Sequence, residues 1–137
     1  MSDPSYDLQV ALVAALRSAG ALPEVVGGRI YDRVPEAAAF PYVSFGPSQV
    51  LPDKAGCIDG AEVFVQLDAW SRSKDGFGEV KAIGRAILAA LDDQDLEVAG
   101  FDVIVFELQG LNYLTDPDGL TRHAAVTFRA LIQPAAQ

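Results

Sequence analysis

Apolar positions near the start of the chain recur at helical spacing. Leu8, Leu12, Ala15, Leu16 and Ala19 share one face and predict a helix over residues 5–19. Its many alanines suit a helix. Gly20 ends it, and Pro23 is expected to prevent it from resuming. Gly27 and Gly28 predict a turn, and residues 29–34 a short extended piece. Ala37, Ala38 and Ala39 sit between Pro35 and Pro41 and read as loop despite their helix propensity. Residues 42–50 read as a strand ended by Pro52, followed by a polar connection over 53–60. The clearest alternation covers 61–71. Val63, Val65, Leu67 and Ala69 point one way, and Glu62, Phe64, Gln66, Asp68 and Trp70 point the other.

A second helical stripe, Phe77, Val80, Ile83, Ile87, Leu88 and Leu91, predicts a helix from about residue 76 to 91, with Ser73 or Asp75 as its cap. Asp92, Asp93 and Asp95 oppose the helix dipole and end it. A long hairpin follows. Its first arm, residues 101–112, is apolar on both faces, as a covered or central strand requires. Residues 115–119 form the turn, where Pro117 presets φ and Gly119 accepts a positive φ. In the second arm, 121–132, Ala124, Val126, Phe128, Ala130 and Ile132 face one side. The fold class is therefore α+β: an antiparallel sheet with two helices packed on one face and a long C-terminal hairpin. The expected core contains Leu12, Leu16, Val63, Val65, Leu67, Ile83, Ile87, Val126 and Phe128.

Length and composition refine this picture. A chain of 137 residues suits a single domain over 1–137. Half of it is hydrophobic and only 21% is charged, so it is apolar for a small monomer and is expected to cover part of its surface with copies or partners. The formal net charge of −9 argues against binding a phosphate backbone, which runs on Lys and Arg. Cys57 is the lone cysteine, which excludes an internal disulfide and a cysteine zinc site. The opening Met1-Ser2-Asp3-Pro4 shows no signal peptide, and no apolar run approaches the roughly 18 residues of a membrane span. The chain is expected to be cytosolic, or assembled in the cytosol, away from membranes.

Chemistry is hard to find. His123, the lone histidine, sits on an alternating strand and reads as a surface or interface residue, because no partnered nucleophile accompanies it. Asp92, Asp93 and Asp95 lack the glycine and final glutamate of a calcium loop, and the Asp116–Gly119 letters are explained by the turn. Gly27-Gly28 lacks the spacing of a nucleotide loop. No catalytic, cofactor-binding or metal residues are expected, and no cofactor. Phe64 and Trp70, large aromatics on a mixed sheet face, are instead expected in a subunit interface together with Arg129. The 53–60 connection, with Asp53, Lys54, Cys57 and Asp59, is expected to contact a partner.

Several segments together resemble a known family. They are Gly28-Arg29-Ile30-Tyr31-Asp32-Arg33-Val34-Pro35, Phe40-Pro41-Tyr42-Val43, a strand ending Ala69-Trp70-Ser71-Arg72, a helix ending Ala90-Leu91-Asp92-Asp93, and Phe128-Arg129-Ala130. In this order and spacing, from Leu8 to Ile132, the chain resembles the tail-completion (tail-terminator) proteins of long-tailed bacteriophages and gene transfer agents. The resemblance implies a lambda-type tail-terminator fold and a hexameric ring. Such a ring caps the finished tail tube and offers a surface to the head–tail connector. It implies no catalytic residues and no sequence-specific nucleic-acid binding, with the ring lumen as a passage for DNA; the net charge of −9 would suit such a passage if it lined the lumen, and the sequence does not say which side carries it. Two other readings stay open: a head-closure or adaptor component of the same particle, and a small oligomeric α+β ligand-binding or enzyme domain.

Overall fold

The computed structural model describes residues 2–53 and 59–136. Helix α1 spans Ser5–Ser18 and buries Leu8, Leu12 and Leu16. The Asp3 carboxylate accepts the Ser5 amide at 2.8 Å, satisfying one of the free donors of the first turn. A second short helix, α2 (Ala21–Val26), follows at once and buries Leu22 and Val26. This corrects the expectation that Pro23 keeps the chain out of helix. Pro23 lies in the first turn, where its missing amide has no partner to lose. The helical layer therefore holds three helices rather than two, with α2 packed chiefly against α3. Gly27, at φ 60°, ends α2, and its amide reaches the Pro23 carbonyl at 2.8 Å.

The sheet has five strands: β1 (Ile30–Tyr31), β2 (Tyr42–Asp53), β3 (Gly60–Ser71), β4 (Phe101–Thr115) and β5 (Arg122–Pro134), in the order β1-β2-β3-β5-β4. Every pairing is antiparallel except β1 with β2. β1 is only two residues long, shorter than the expected 29–34. It covers β2 only at Val43 and Ser44. That shortness explains a second difference. β2 runs on through Pro52, past the expected end at residue 50, because its outer edge there has no neighbour to receive the amide that proline lacks.

The helix-packed face follows the expected register. Val63, Val65, Leu67 and Ala69 of β3 lie beside Ala130, Phe128, Val126 and Ala124 of β5, and all nine expected core residues are buried. Helix α3 spans Gly78–Leu91 and buries Val80, Ile83, Ile87 and Leu91. Neither Ser73 nor Asp75 caps it: Phe77 is the N-cap, and Ser73 Oγ accepts the Asp75 amide at 3.3 Å instead. Gly84 lets α3 settle close to β4, since a methyl there would run into the Tyr113 hydroxyl. The helix stops at Leu91 as expected, with Asp92 extended behind it.

The hairpin of β4 and β5 is present, but β4 is an edge strand, not a covered one. Its apolar residues read as two-sided in the sequence because two bulges reset the alternation. One falls between Val103 and Val105 and the other between Leu108 and Gly110. Val103, Phe106, Leu108, Leu111 and Tyr113 consequently all lie across from the core residues of β5. Ile104, the extra residue of the first bulge, is 57% exposed.

Asp118 holds the hairpin turn. Its Oδ1 accepts the amides of Leu120 and Thr121 at 2.8 and 2.9 Å, and its Oδ2 accepts the Thr121 hydroxyl at 2.7 Å. These donors hold the Asp118 carboxyl down to about 2, the Thr121 amide first, with Arg72 adding a smaller pull. A carboxyl lowered on folding stabilises the fold above its ordinary value of 3.8, and that contribution is lost as pH falls through about 2. Asp118→Asn is therefore expected to flatten the acid limb of a stability–pH curve across that window. Urea melts giving parallel acid limbs for the two proteins would contradict this.

Candidate interaction surface

The sheet face away from the helices carries the polar and aromatic side chains. Register aligns them in rows. Tyr42, Trp70 and His123 are opposite one another on β2, β3 and β5, and so are Ser44, Asp68 and Ala125. The Trp70 ring stacks on the His123 imidazole, with centroids 3.9 Å apart and planes 13° apart. Trp70 Nε1 donates to Ser44 Oγ at 2.9 Å. His123 Nε2 lies 2.6 Å from Asp68 Oδ1, and Gln66 Nε2 donates to that same oxygen at 2.9 Å. Asp68 is only 5% exposed, so these partners satisfy a carboxylate that burial would otherwise penalise. His123 Nδ1 is 3.9 Å from Asp116 Oδ1.

A bulge in β2 makes room for this cluster. Between Phe45 and Ser48 the register shifts, setting Gly46 and Pro47 against Gln66. A Cβ on Gly46 would lie 2.5 Å from Asp68 Oδ2. Glycine is required here by close approach rather than by its φ.

Next to the cluster, three separated segments converge. Arg29 Nε donates to the Pro41 carbonyl at 2.8 Å, and the Val43 amide donates to the Arg29 carbonyl at 2.9 Å. Phe40, which precedes a cis bond to Pro41, packs on Tyr42 at 5.0 Å, and the Arg72 guanidinium lies 4.4 Å over the Phe40 ring. Burial, the leading cause, pushes the Tyr42 hydroxyl above its ordinary value. The stretches around residues 28–35, 40–43 and 69–72, far apart in the chain, thus meet at one end of the sheet.

Of the residues expected at an interface, Phe64, Trp70 and Arg129 all lie on this helix-free face. Phe64 is paired in register with Arg129, and Trp70 is six residues along the same strand, about 20 Å away at about 3.3 Å per residue. Arg129 is held by Glu62 at 2.6 Å and Glu107 at 2.9 Å, and these hydrogen bonds raise its pKa, Glu62 first. Asp53 ends β2 opposite Gly60, and Asp59 precedes β3. Lys54 and Cys57 lie outside the described residues. The sequence reading missed that His123 has a partner at all. Asp68 is 55 positions away, and no local pattern announces the pair.

The cluster orients an imidazole, yet the Ser44 hydroxyl beside it on the same face accepts the indole N–H of Trp70. Among the described residues no group of three or more His, Cys, Asp and Glu could hold a metal ion, and no helix is long and apolar enough to cross a membrane. What the geometry provides is a polar–aromatic sheet face tied together across three strands.

The family model described as tail completion protein gp17 matches residues 10–133. The tail completion protein gp17 of Bacillus phage SPP1 is 27% identical over 128 residues, covering 93% of both chains. Among solved structures, a chain of the virion of a native gene transfer agent particle superposes with a TM-score of 0.88 at 25% identity, over 97% of this chain and 99% of that one. The structure of bacteriophage SPP1 gp17 gives a TM-score of 0.60 at 25% identity, over 92% and 88%. A match across nearly the whole chain, together with a fold shared from end to end, means that this protein belongs to the tail completion protein gp17 family.

Proposed function

We propose that this chain is a ring-forming tail terminator: six copies cap the tail tube of a long-tailed phage or gene transfer agent and join it to the head connector. The observation that carries this reading is the end-to-end likeness to a chain resident in a gene transfer agent virion. The role is structural, with contact surfaces in place of a reaction centre. The −9 charge of each subunit suits a lumen through which DNA passes without adhering. The site of action is the particle, reached by assembly in the bacterial cytoplasm.

In this reading Phe64, Trp70, Arg129 and the hairpin arms contribute to subunit contacts, and the connection carrying Asp53, Lys54, Cys57 and Asp59 meets the tail tube or a neighbour. Cells that make the particle without this protein are expected to accumulate capsids beside overlong or unjoined tails. Normal particles from such cells would sink the assignment. Accumulation of finished tails beside leaking capsids would favour a head-closure role instead. Deleting residues 54–59 is expected to leave thermal unfolding nearly unchanged and to cut particle yield. Full yield would remove that connection from the contact surface.

A further inference from the structure

Exposed apolar side chains gather at the two opposite edges of the sheet. At the β1 edge, α1 turns outward Tyr6, 68% exposed, and Val10, 52% exposed. Val13 and Arg17 continue the same stripe, on the side of α1 away from Leu8, Leu12 and Leu16. With Gln9, Ile30 and Asp32 they line a groove of about 250 Å³. At the β4 edge, the bulge residue Ile104 joins Leu96, Val103 and Phe106 in flooring a groove of about 320 Å³, walled by Asp93, Gln94 and Asp95.

The two edges differ in charge. Among the described residues, Arg17 has no carboxylate within 4.0 Å, and Asp93 and Asp95 have no cation within that distance. Asp92 and Glu97 belong to the same acidic stretch, and Asp92 and Asp93 follow directly on the negative end of the α3 dipole. The subunit thus leaves negative potential concentrated around a groove whose open surface is mainly polar, with Ile104 exposed beside it, and a cation at the end of an exposed apolar helix face on its far side. Asp32 is the one carboxylate lining the α1 groove.

We propose that the α1 ridge of one copy seats in the β4 groove of the next, a contact that rests on the ring reading above. Tyr6, Val10 and Val13 cover Ile104 and its neighbours, and Arg17 meets Asp93 and Asp95. The occupant is a second copy because the unpaired cation and exposed apolar side chains of one edge match the unpaired carboxylates and exposed Ile104 of the opposite edge. Five strands at about 4.8 Å separate those edges by roughly 20 Å, so using one leaves the other open. Two different patches meeting in this way form a heterologous contact, the kind that a rotation repeats into a ring. The contact also shields β4, a 15-residue edge strand that would otherwise offer its backbone to any passing chain.

The test is a cross-link. Val10→Cys with Ile104→Cys in a Cys57→Ser background, oxidised over rising concentration, is expected to give a ladder of multimers on a non-reducing gel. Each single-cysteine chain can give dimers at most. Arg17→Glu should cut the multimer fraction several-fold, and adding Asp95→Arg should restore it. No ladder beyond dimers, or a ladder indifferent to Arg17→Glu, overturns the proposal. Native mass spectrometry of the unmodified protein separates the two levels. A ring without the cross-link discards these patches and keeps the terminator, whereas normal particles from cells lacking the protein discard the terminator itself.

Discussion

Phe128→Ala is expected to cost about 3–5 kcal/mol of unfolding free energy and to lower Tm by roughly 10–20 °C. Phe128 is fully buried on β5, between β3 and β4, where it lies in register with Val65 and Leu108. Its ring stacks on Phe106 at 4.8 Å with the planes 14° apart. Strands hydrogen-bonded on both sides hold the backbone in place, so the space left by the ring cannot close, and the cavity cost adds to the lost transfer energy. Phe128→Leu should cost distinctly less because it keeps most of the volume. Urea melts at constant m check both, and a loss below about 1.5 kcal/mol for the alanine variant would mean that the site collapses.

Gly46→Ala is the second large effect, about 1–3 kcal/mol for a single methyl group. The methyl would sit 2.5 Å from Asp68 Oδ2 and 3.2 Å from Gln66 Nε2. A free carboxylate would swing aside. This one is buried and held by His123 and Gln66, so displacing it breaks both contacts. The signature is non-additivity: in an Asp68→Ala background the obstructing oxygens are gone, and Gly46→Ala should cost little. An additive double-mutant cycle would show that the penalty has another source.

Most of the fold was legible where the pattern is local. The alternation from Val63 to Ala69 and the stripe from Val80 to Leu91 read correctly because period and burial coincide. Misreadings arose where a local rule meets an exception imposed from outside. Pro23 breaks a helix interior but not a first turn. Pro52 ends a paired strand but not one whose outer edge is bare. In β4, bulges at Ile104 and Gln109 shift the phase, and a phase shift looks like a two-sided strand. The sheet-face cluster was less legible. Phe64, Trp70 and Arg129 were placed on the right face by period alone. Their partners could not be seen, because Asp68 with His123 and Trp70 with Ser44 are meetings across strands whose neighbours depend on the whole topology.

The stacked indole has a use of its own. Trp70 is the single tryptophan of the chain, so all tryptophan emission comes from one place. Its ring lies on an imidazole from β5 and its N–H is bound on β2, so the fluorophore senses the registry of three adjacent strands at once. It lies on β3, the middle strand, two strands in from either edge. A contact on the helix-free face, whether by a copy or by another partner, should shift its wavelength and lifetime, whereas copies that meet only at the sheet edges should leave the spectrum unchanged. The protein therefore carries a built-in optical gauge that tells one mode of association from the other without a label.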